Sequence, residues 1–411
     1  MKVLVLQPLP QLCWADAAGY SEFPSLGIAR MAADLARYGV ETEARYPRCA
    51  ADMQEAAQAS ADVIVIGDFR YYAYFANPLP LIRRAIELLT ATETTSRLLV
   101  AGRHASHFTA LGHGIAVQGS YTALADVLTR GAWSASAAAV HGGTALDSSD
   151  PLPGPGIPDT TILEDGGELA GSFSRPGLRL AQLMLTKGCP FGCRFCEKAA
   201  SPVESLTPEQ LDQALGALEA AGFQRVAFWD EVFAWPVRST RDHLAVLAGH
   251  GITFNCNCRL SMLREPFVRV LADAGCTEIL FGLEVSPGEA DASDLLGLDR
   301  GKRVAPSLLR DRISLLLDYG IKSVGSVIVG LPADDKDAIE RRLEIIDKLG
   351  LSYCYVRPLV PFPETVLYSA LHGSGAVPDY DSWGPELDTF PHGYATVSSL
   401  DRAVLSAFCG R

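Results

Sequence analysis

The sequence has no basic tract and no surplus of positive charge. Its 35 Lys and Arg face 48 Asp and Glu, a formal net charge of −13. Neutralising a phosphate backbone takes clustered cations, so this balance argues against a nonspecific nucleic-acid binder. Apolar runs of membrane-spanning length are also missing, and the opening run Val3 to Leu6 is too short for a signal peptide. A cytoplasmic protein with no nucleic-acid and no membrane partner is expected. Ten cysteines in 411 residues are too sparse for a disulfide scaffold, and a reducing compartment leaves thiols available as ligands. What the chain does have is material for a well-filled interior, 48% hydrophobic against 20% charged residues, at a length suggesting two or three domains.

Three of the cysteines, Cys189, Cys193 and Cys196, fall in one stretch at a C-x3-C-x2-C spacing. Gly188, Pro190 and Gly192 provide tight turns that let closely spaced sulfurs converge on one metal centre. A loop punctuated by Gly and Pro is a poor place for core side chains. Zinc would want a fourth Cys or His at knuckle spacing, and the next histidine is His243. Three thiolates are one short of a four-cysteine cage, so a [4Fe-4S] cluster held here leaves one iron open to an exogenous ligand.

Around this loop the chain divides by pattern. Residues 1–133 alternate short apolar strands (Val3 to Leu6, Glu41 to Tyr46, Val63 to Ile66, Leu98 to Ala101, Ile115 to Gln118) with amphipathic helical stretches such as Leu26 to Tyr38 and Leu79 to Leu89. This α/β pattern predicts a doubly wound, flavodoxin-like Rossmann sheet with its ligand site at the carboxyl ends of the strands. Residues 134–177 shift to Ala, Ser, Gly and Pro, the composition of a linker. Residues 178–368 repeat a strand-then-helix pattern six times. The strands read as Ala181 to Leu185, Arg225 to Trp229, Thr253 to Cys258, Glu278 to Val285, Ser323 to Leu331 and Tyr353 to Val360. Helix periodicity is clear in Thr207 to Gly222, through Leu211, Leu215 and Leu218, and in Lys336 to Gly350, through Ile339, Leu343, Ile346 and Leu349. A partial, open (β/α)6 barrel of the TIM type is predicted, with chemistry on the loops after its strands. Residues 369–411 form a short C-terminal extension that closes the barrel bottom or lines the substrate pocket.

The cysteine motif, with aromatic Phe195 before the last cysteine, resembles the signature of the radical S-adenosylmethionine (SAM) superfamily. Further segments carry the likeness. Phe23 to Ile28, Leu35 to Val40, Ala101 to His104 and Ile115 to Ser120 resemble the cobalamin-binding-type domain that precedes the barrel in a large subgroup. Phe228 to Phe233 resembles the family's Asp-Asp/Glu-x-Phe turn, Asn255 to Arg259 its x-Cys-x-x-Arg segment, Phe281 to Ser286 its Gly-x-Glu-Ser strand end, and Val327 to Pro332 its hydrophobic-Gly-x-Pro turn.

The resemblance implies that Cys189, Cys193 and Cys196 hold the cluster and that SAM chelates the open iron. Glu231, and less so Asp230, would receive the SAM ammonium. Arg259 would pair with its carboxylate, Glu284 would lie near the ribose or methionine, and Gly330 would allow close approach of the adenine. A reductase, flavodoxin or ferredoxin would supply the electron that cleaves SAM to a 5'-deoxyadenosyl radical. The reading placed first is hydrogen abstraction from a small metabolite leading to dehydration, epimerisation or rearrangement, as in an aminoglycoside diol dehydratase of natural-product biosynthesis. A cobalamin-dependent methyltransferase is the alternative, and a non-catalytic iron-sulfur electron carrier the remote one. Two departures stand out. The Asp-x-His-x-x-Gly loop that supplies a lower cobalt ligand in some cobalamin proteins is absent, its place taken by Gly67 to Phe75 with Tyr71, Tyr72 and Tyr74. Glu364 replaces the glycine of the usual Pro-Tyr-Pro-Gly-Thr turn. Cys256 and Cys258, two apart on a strand, read as core rather than as a metal pair.

Overall fold

The structure is a computed structural model. It describes residues 1–13, 26–67, 78–92, 94–101, 115–117, 124, 128, 180–236, 240–284, 295–298, 306–363, 365–383 and 395–409. Backbone packing divides the chain into two compact units, Met1–Pro176 with Asp381–Tyr394, and Gly177–Tyr380 with Ala395–Arg411. The stretch 369–411 is therefore shared between the two units.

In the first unit the described elements run β1 (Lys2–Leu6), α1 (Leu26–Ala36), β2 (Glu41–Arg45), α2 (Ala50–Ala57), β3 (Val63–Gly67), α3 (Pro78–Thr90), β4 (Arg97–Ala101) and β5 (Ile115–Val117). All five strands are parallel in the order β2-β1-β3-β4-β5. A strand covered by helices on both faces needs apolar residues at every position, and β3, Val-Ile-Val-Ile-Gly, is buried throughout. Helix α3 tolerates Pro78 and Pro80 because the first-turn amides have no intrahelical acceptor anyway. It buries Leu79, Leu81, Ile82, Ala85, Ile86 and Leu89. Gly39, at φ +72, donates to the Ala36 carbonyl and ends the α1 segment.

The second unit runs β6 (Leu180–Leu183), β7 (Thr186–Lys187), β8 (Glu204–Ser205), α4 (Pro208–Ala220), β9 (Arg225–Phe228), α5 (Arg241–His250), β10 (Thr253–Asn257), α6 (Glu265–Asp273), β11 (Cys276–Glu284), α7 (Pro306–Asp318), β12 (Lys322–Val329), α8 (Lys336–Asp347), β13 (Tyr353–Pro358), α9 (Val366–Gly373) and α10 (Arg402–Cys409). Six parallel strands follow one another as β6-β9-β10-β11-β12-β13. Among the described residues the end strands β6 and β13 do not pair, which leaves the barrel open. Helix α4 starts with a capping box: Thr207 Oγ accepts from the Gln210 amide at 3.3 Å and Gln210 Oε1 accepts from the Thr207 amide at 2.8 Å.

Two details differ from the sequence pattern. The first strand, expected over Ala181 to Leu185, ends at Leu183, and β7 pairs instead with β8 as a short antiparallel ribbon. In α8 the buried face includes Arg342, 1% exposed, while Leu343 is only partly buried. Arg342 is there because it pairs with buried Asp334, Nη2 to Oδ1 at 2.7 Å and Nη1 to Oδ2 at 3.0 Å, and also donates to the Ile328 carbonyl at 3.1 Å. Asp334 in turn accepts from the amides of Gly330 and Leu331 at 2.8 and 3.0 Å. A buried ion pair thus fixes the turn at the carboxyl end of β12.

Candidate active site

The cysteine loop leaves β7 through Gly188, whose φ of +90 is open to glycine. A Cβ there would lie 1.7 Å from the Pro202 carbonyl oxygen. By contrast, an added Cβ on Gly192 would meet nothing within 4 Å, and its φ lies outside the left-handed region. Only the first of the two glycines is demanded by the protein's own backbone. The loop is then tied to itself: the Cys189 amide donates to Ser201 Oγ at 2.9 Å, Ser201 donates to the Lys198 carbonyl at 2.8 Å, and the Ala200 amide donates to the Phe191 carbonyl at 2.8 Å. The Lys198 amide points at Cys196 Sγ at 3.4 Å. Outside the loop, the Arg194 amide donates to the Leu296 carbonyl, and the Arg194 carbonyl accepts from the Leu367 amide, both at 2.9 Å.

Cys193 is buried with Leu296, Leu298, Ile328, Leu331, Leu359 and Leu367, and Phe195, Cys196 and Val397 pack against that cluster. Burial raises the Cys189 pKa; the Phe191 amide and Arg259 act against this, while Cys193 and Glu231 add to it. Cys189, Cys193, Glu231 and Arg259 are therefore electrostatic neighbours. None of the three loop cysteines is in a disulfide. No three His, Cys, Asp or Glu among the described residues converge as ligands of a single metal ion. Thiolates of a cluster each take a different iron and need not meet at one point. Three cysteines outside any disulfide on a braced loop, with a backbone N–H aimed at one of them, suit a three-cysteine cluster site.

The other expected residues take distinct positions. Glu231 Oε2 accepts from the Gly188 amide at 3.0 Å, which sets it against the start of the cysteine loop. Asp230, proposed alongside it for an ammonium group, has a different task. Fully buried, its two carboxylate oxygens accept from the amides of Leu185 and Thr186 at 2.9 and 2.8 Å. Burial pushes its pKa well above the ordinary value against the pull of those amides. These two bonds explain why the first strand stops early. Arg259, 6% exposed, carries its guanidinium carbon 3.6 Å from the centroid of the Phe191 ring.

Glu284 closes β11 with φ +58 beside a register shift in the β11–β12 pairing, and is 6% exposed. A left-handed conformation costs a residue with a Cβ about 1–2 kcal/mol, a strain that concentrates at functional strand ends. Gly330, φ +77, sits between Ile328 and Leu331 of the Cys193 cluster. A Cβ there would meet Leu405 at 3.1 Å and Ser398 at 3.6 Å. The close approach that needs this glycine is thus made by the chain's own C-terminal segment. Helix α10 also packs on β13, so this part of the extension lies against the turn after β12.

Cys256 and Cys258 are buried with sulfurs 3.9 Å apart, and Cys409 is partly buried, its thiol pushed up to about 11 by burial against the effect of Arg357. The tyrosines at 71, 72 and 74 with Phe75, His104 and Glu364 lie outside the described residues. Phe191, Trp235, Ser201 and Asp334 carry no expectation from the sequence. Phe191, an aromatic between two of the cysteines, offered a local signal; the others depend on contacts far apart in sequence.

Residues 183–346 match the family model described as the Radical SAM superfamily, a match that lies within the second unit. Over 202 residues it is 22% identical to an uncharacterized methyltransferase of Pyrococcus horikoshii, a match that covers 48% of this chain and 43% of the relative. Over 226 residues it is 23% identical to the hopanoid C-2 methylase of Rhodopseudomonas palustris, covering 52% and 42%. The match thus spans less than half the length of either relative. In fold it resembles the radical SAM methyltransferase TsrM of Kitasatospora setae, solved with cobalamin and a [4Fe-4S] cluster bound. The TM-score is 0.66 at 13% identity, over 91% of this chain and 78% of that one.

Proposed function

We propose that this protein is a cobalamin-dependent radical SAM methyltransferase acting on a small molecule. The observation that carries this reading is the likeness in fold, over 91% of the chain, to a methyltransferase holding both cobalamin and a cluster. The names of both curated relatives, a methyltransferase and a methylase, support it. The sequence alone set hydrogen abstraction leading to dehydration or rearrangement first; the comparisons favour the methyl-transfer alternative.

Within this reading Cys189, Cys193 and Cys196 would hold a [4Fe-4S] cluster with one position left for SAM, and the doubly wound sheet would hold cobalamin beyond the carboxyl ends of its strands, where its order reverses between β1 and β3. When bound, the cluster supplies an electron and an open coordination position, and cobalamin supplies the cobalt centre for methyl transfer. The chain's own residues do the positioning. Asp230 anchors the backbone that leads into the cysteine loop, and Glu231 braces Gly188 and presents its carboxylate beside Cys189. The Arg259 guanidinium offers a planar donor fork to the SAM carboxylate, and the apolar cluster around Cys193 excludes water from one side of the loop. A flavodoxin, ferredoxin or reductase is the electron donor.

The test is anaerobic reconstitution with iron, sulfide and cobalamin, then incubation with methyl-labelled SAM and candidate small molecules. Bound cobalamin and label transferred to a product are expected. SAM cleavage without any cobalamin binding would overturn the methyltransferase reading in favour of hydrogen abstraction. Cys→Ala at 189, 193 or 196 should each abolish iron incorporation.

A further inference from the structure

We propose that Phe191 is a positioning residue. Its ring clamps the Arg259 guanidinium beside Cys189, so that ordering the cysteine loop and presenting the arginine to an anionic ligand are one event. The inference rests on the reading above, in which Arg259 meets the carboxylate of SAM.

Three elements far apart in sequence meet at this ring. Phe191 lies in the cysteine loop, two residues after Cys189. The Arg259 guanidinium carbon, just beyond β10, sits 3.6 Å from the ring centroid, the spacing of two flat groups in van der Waals contact. Trp235, beyond β9, packs its ring against the Phe191 ring with centroids 5.2 Å apart and planes at 63°. The turn that carries Trp235 is held firmly from behind. The residue before Trp235, Ala234, is 1% exposed in a left-handed conformation at φ +62, and its carbonyl accepts from Thr240 Oγ1 at 3.0 Å. The Phe233 amide donates to the Asn257 carbonyl at 2.7 Å, and Asn257 donates to the Asp230 carbonyl at 3.0 Å. The turn after β9 and the end of β10 thus form one frame, into which the Phe191 ring inserts.

A guanidinium taken out of water needs a partner for its face as well as for its edge. An aromatic quadrupole supplies the first, and is worth most when the cation is desolvated. With Arg259 only 6% exposed, a ring covering one face fixes the plane in which the N–H edge lies. The arginine then stays against the cysteine loop because the ring that holds it belongs to that loop. An aliphatic side chain at 191 would fill much of the volume and lose the attraction. A tyrosine would retain it.

The experiment compares full-length wild type with Phe191→Leu, Phe191→Tyr and Trp235→Leu, each reconstituted anaerobically. Iron and sulfide content, the SAM dissociation constant by equilibrium dialysis, and the change in the reduced cluster's electron paramagnetic resonance spectrum on adding SAM are measured. Phe191→Leu is expected to keep its cluster, weaken SAM roughly 10-fold and blunt the spectral change, with Phe191→Tyr within about 2-fold of wild type. Phe191→Leu binding SAM as tightly as wild type would overturn the proposal. Should the Leu variant fail to hold a cluster, Trp235→Leu, which loosens the stack from outside the loop, decides: weakened SAM binding supports the clamp and unchanged binding overturns it. A wild type that holds a cluster but binds no SAM would instead overturn the underlying reading of the site.

Discussion

A Cβ placed on Gly188 would stand 1.7 Å from the carbonyl oxygen of Pro202. Two backbone segments touch at the entrance of the cysteine loop, with no flexible side chain to give way. Combined with φ +90, this makes Gly188→Ala costly on two counts, steric and conformational. A destabilisation on the order of 3 kcal/mol is expected, together with loss of iron incorporation on reconstitution. Gly192→Ala, where nothing lies within 4 Å of the new methyl group, should fold normally. Denaturant unfolding and iron analysis of the two variants check the contrast.

Adjacent carboxylates at the end of β9 should respond oppositely to amide substitution. Asp230→Asn turns an NH2 group towards one of the backbone amides of Leu185 and Thr186. It loses an acceptor inside the core, and a cost of about 1–3 kcal/mol in unfolding free energy is expected. Glu231 is partly exposed and accepts from the Gly188 amide. Glu231→Gln keeps an oxygen acceptor for Gly188, so stability should change by less than about 1 kcal/mol while SAM affinity falls. Paired unfolding and binding measurements separate the two roles.

The buried Asp334–Arg342 pair, 5% and 1% exposed, makes a third prediction. Asp334→Ala leaves a guanidinium in the core without its counter-charge and frees the Gly330 and Leu331 amides, an expected loss of roughly 3–5 kcal/mol. Replacing both partners, Asp334→Ala with Arg342→Met, should cost less than the single change, because no buried charge is then left uncompensated. Urea denaturation of the single and double variants reads this directly.

His250 links α4 to α5. Its Nε2 lies 3.0 Å from Asp212 Oδ1 and its Nδ1 3.0 Å from Glu219 Oε2. Burial acts to lower the imidazole pKa, but hydrogen bonds to Glu219 and Asp212 outweigh it and the net shift is upward. A folded pKa above the unfolded value of about 6.5 means the contribution is complete below pH 6.5. It fades as pH rises through the raised folded pKa. The Tm advantage of wild type over His250→Gln should therefore be largest near pH 5.5 and shrink towards pH 8.5. An advantage that grows with pH would contradict the sign.

Periodicity located both sheets because it rests on local chemistry. Continuous apolar runs such as Val63 to Gly67 can only be strands buried on both faces, and Thr207, Pro208 and Gln210 announce α4 by a local cap. Spacing alone likewise singled out Cys189, Cys193 and Cys196, and the strand-end motifs marked Glu231, Arg259, Glu284 and Gly330. The division of labour within the site was not legible in this way. Asp230 and Glu231 are adjacent and chemically alike, yet one faces the core and the other the loop, since successive residues leaving a strand point in opposite directions. Gly330 reads as a place of close approach, but that the approaching group is Leu405, 75 residues later, is decided by where α10 docks.

By itself, then, the sequence determined the class of sheet in each unit and singled out the three cysteines proposed as ligands, because strand burial and loop spacing are written in runs of a dozen residues. Only tertiary structure decided which groups surround those sulfurs. The Pro202 carbonyl behind Gly188, the Asp230 carboxylate beneath the loop and the Phe191 ring against Arg259 are contacts between segments from 14 to 68 residues apart. Such contacts exist only once six parallel strands have brought their carboxyl ends to one side, and no local pattern encodes them.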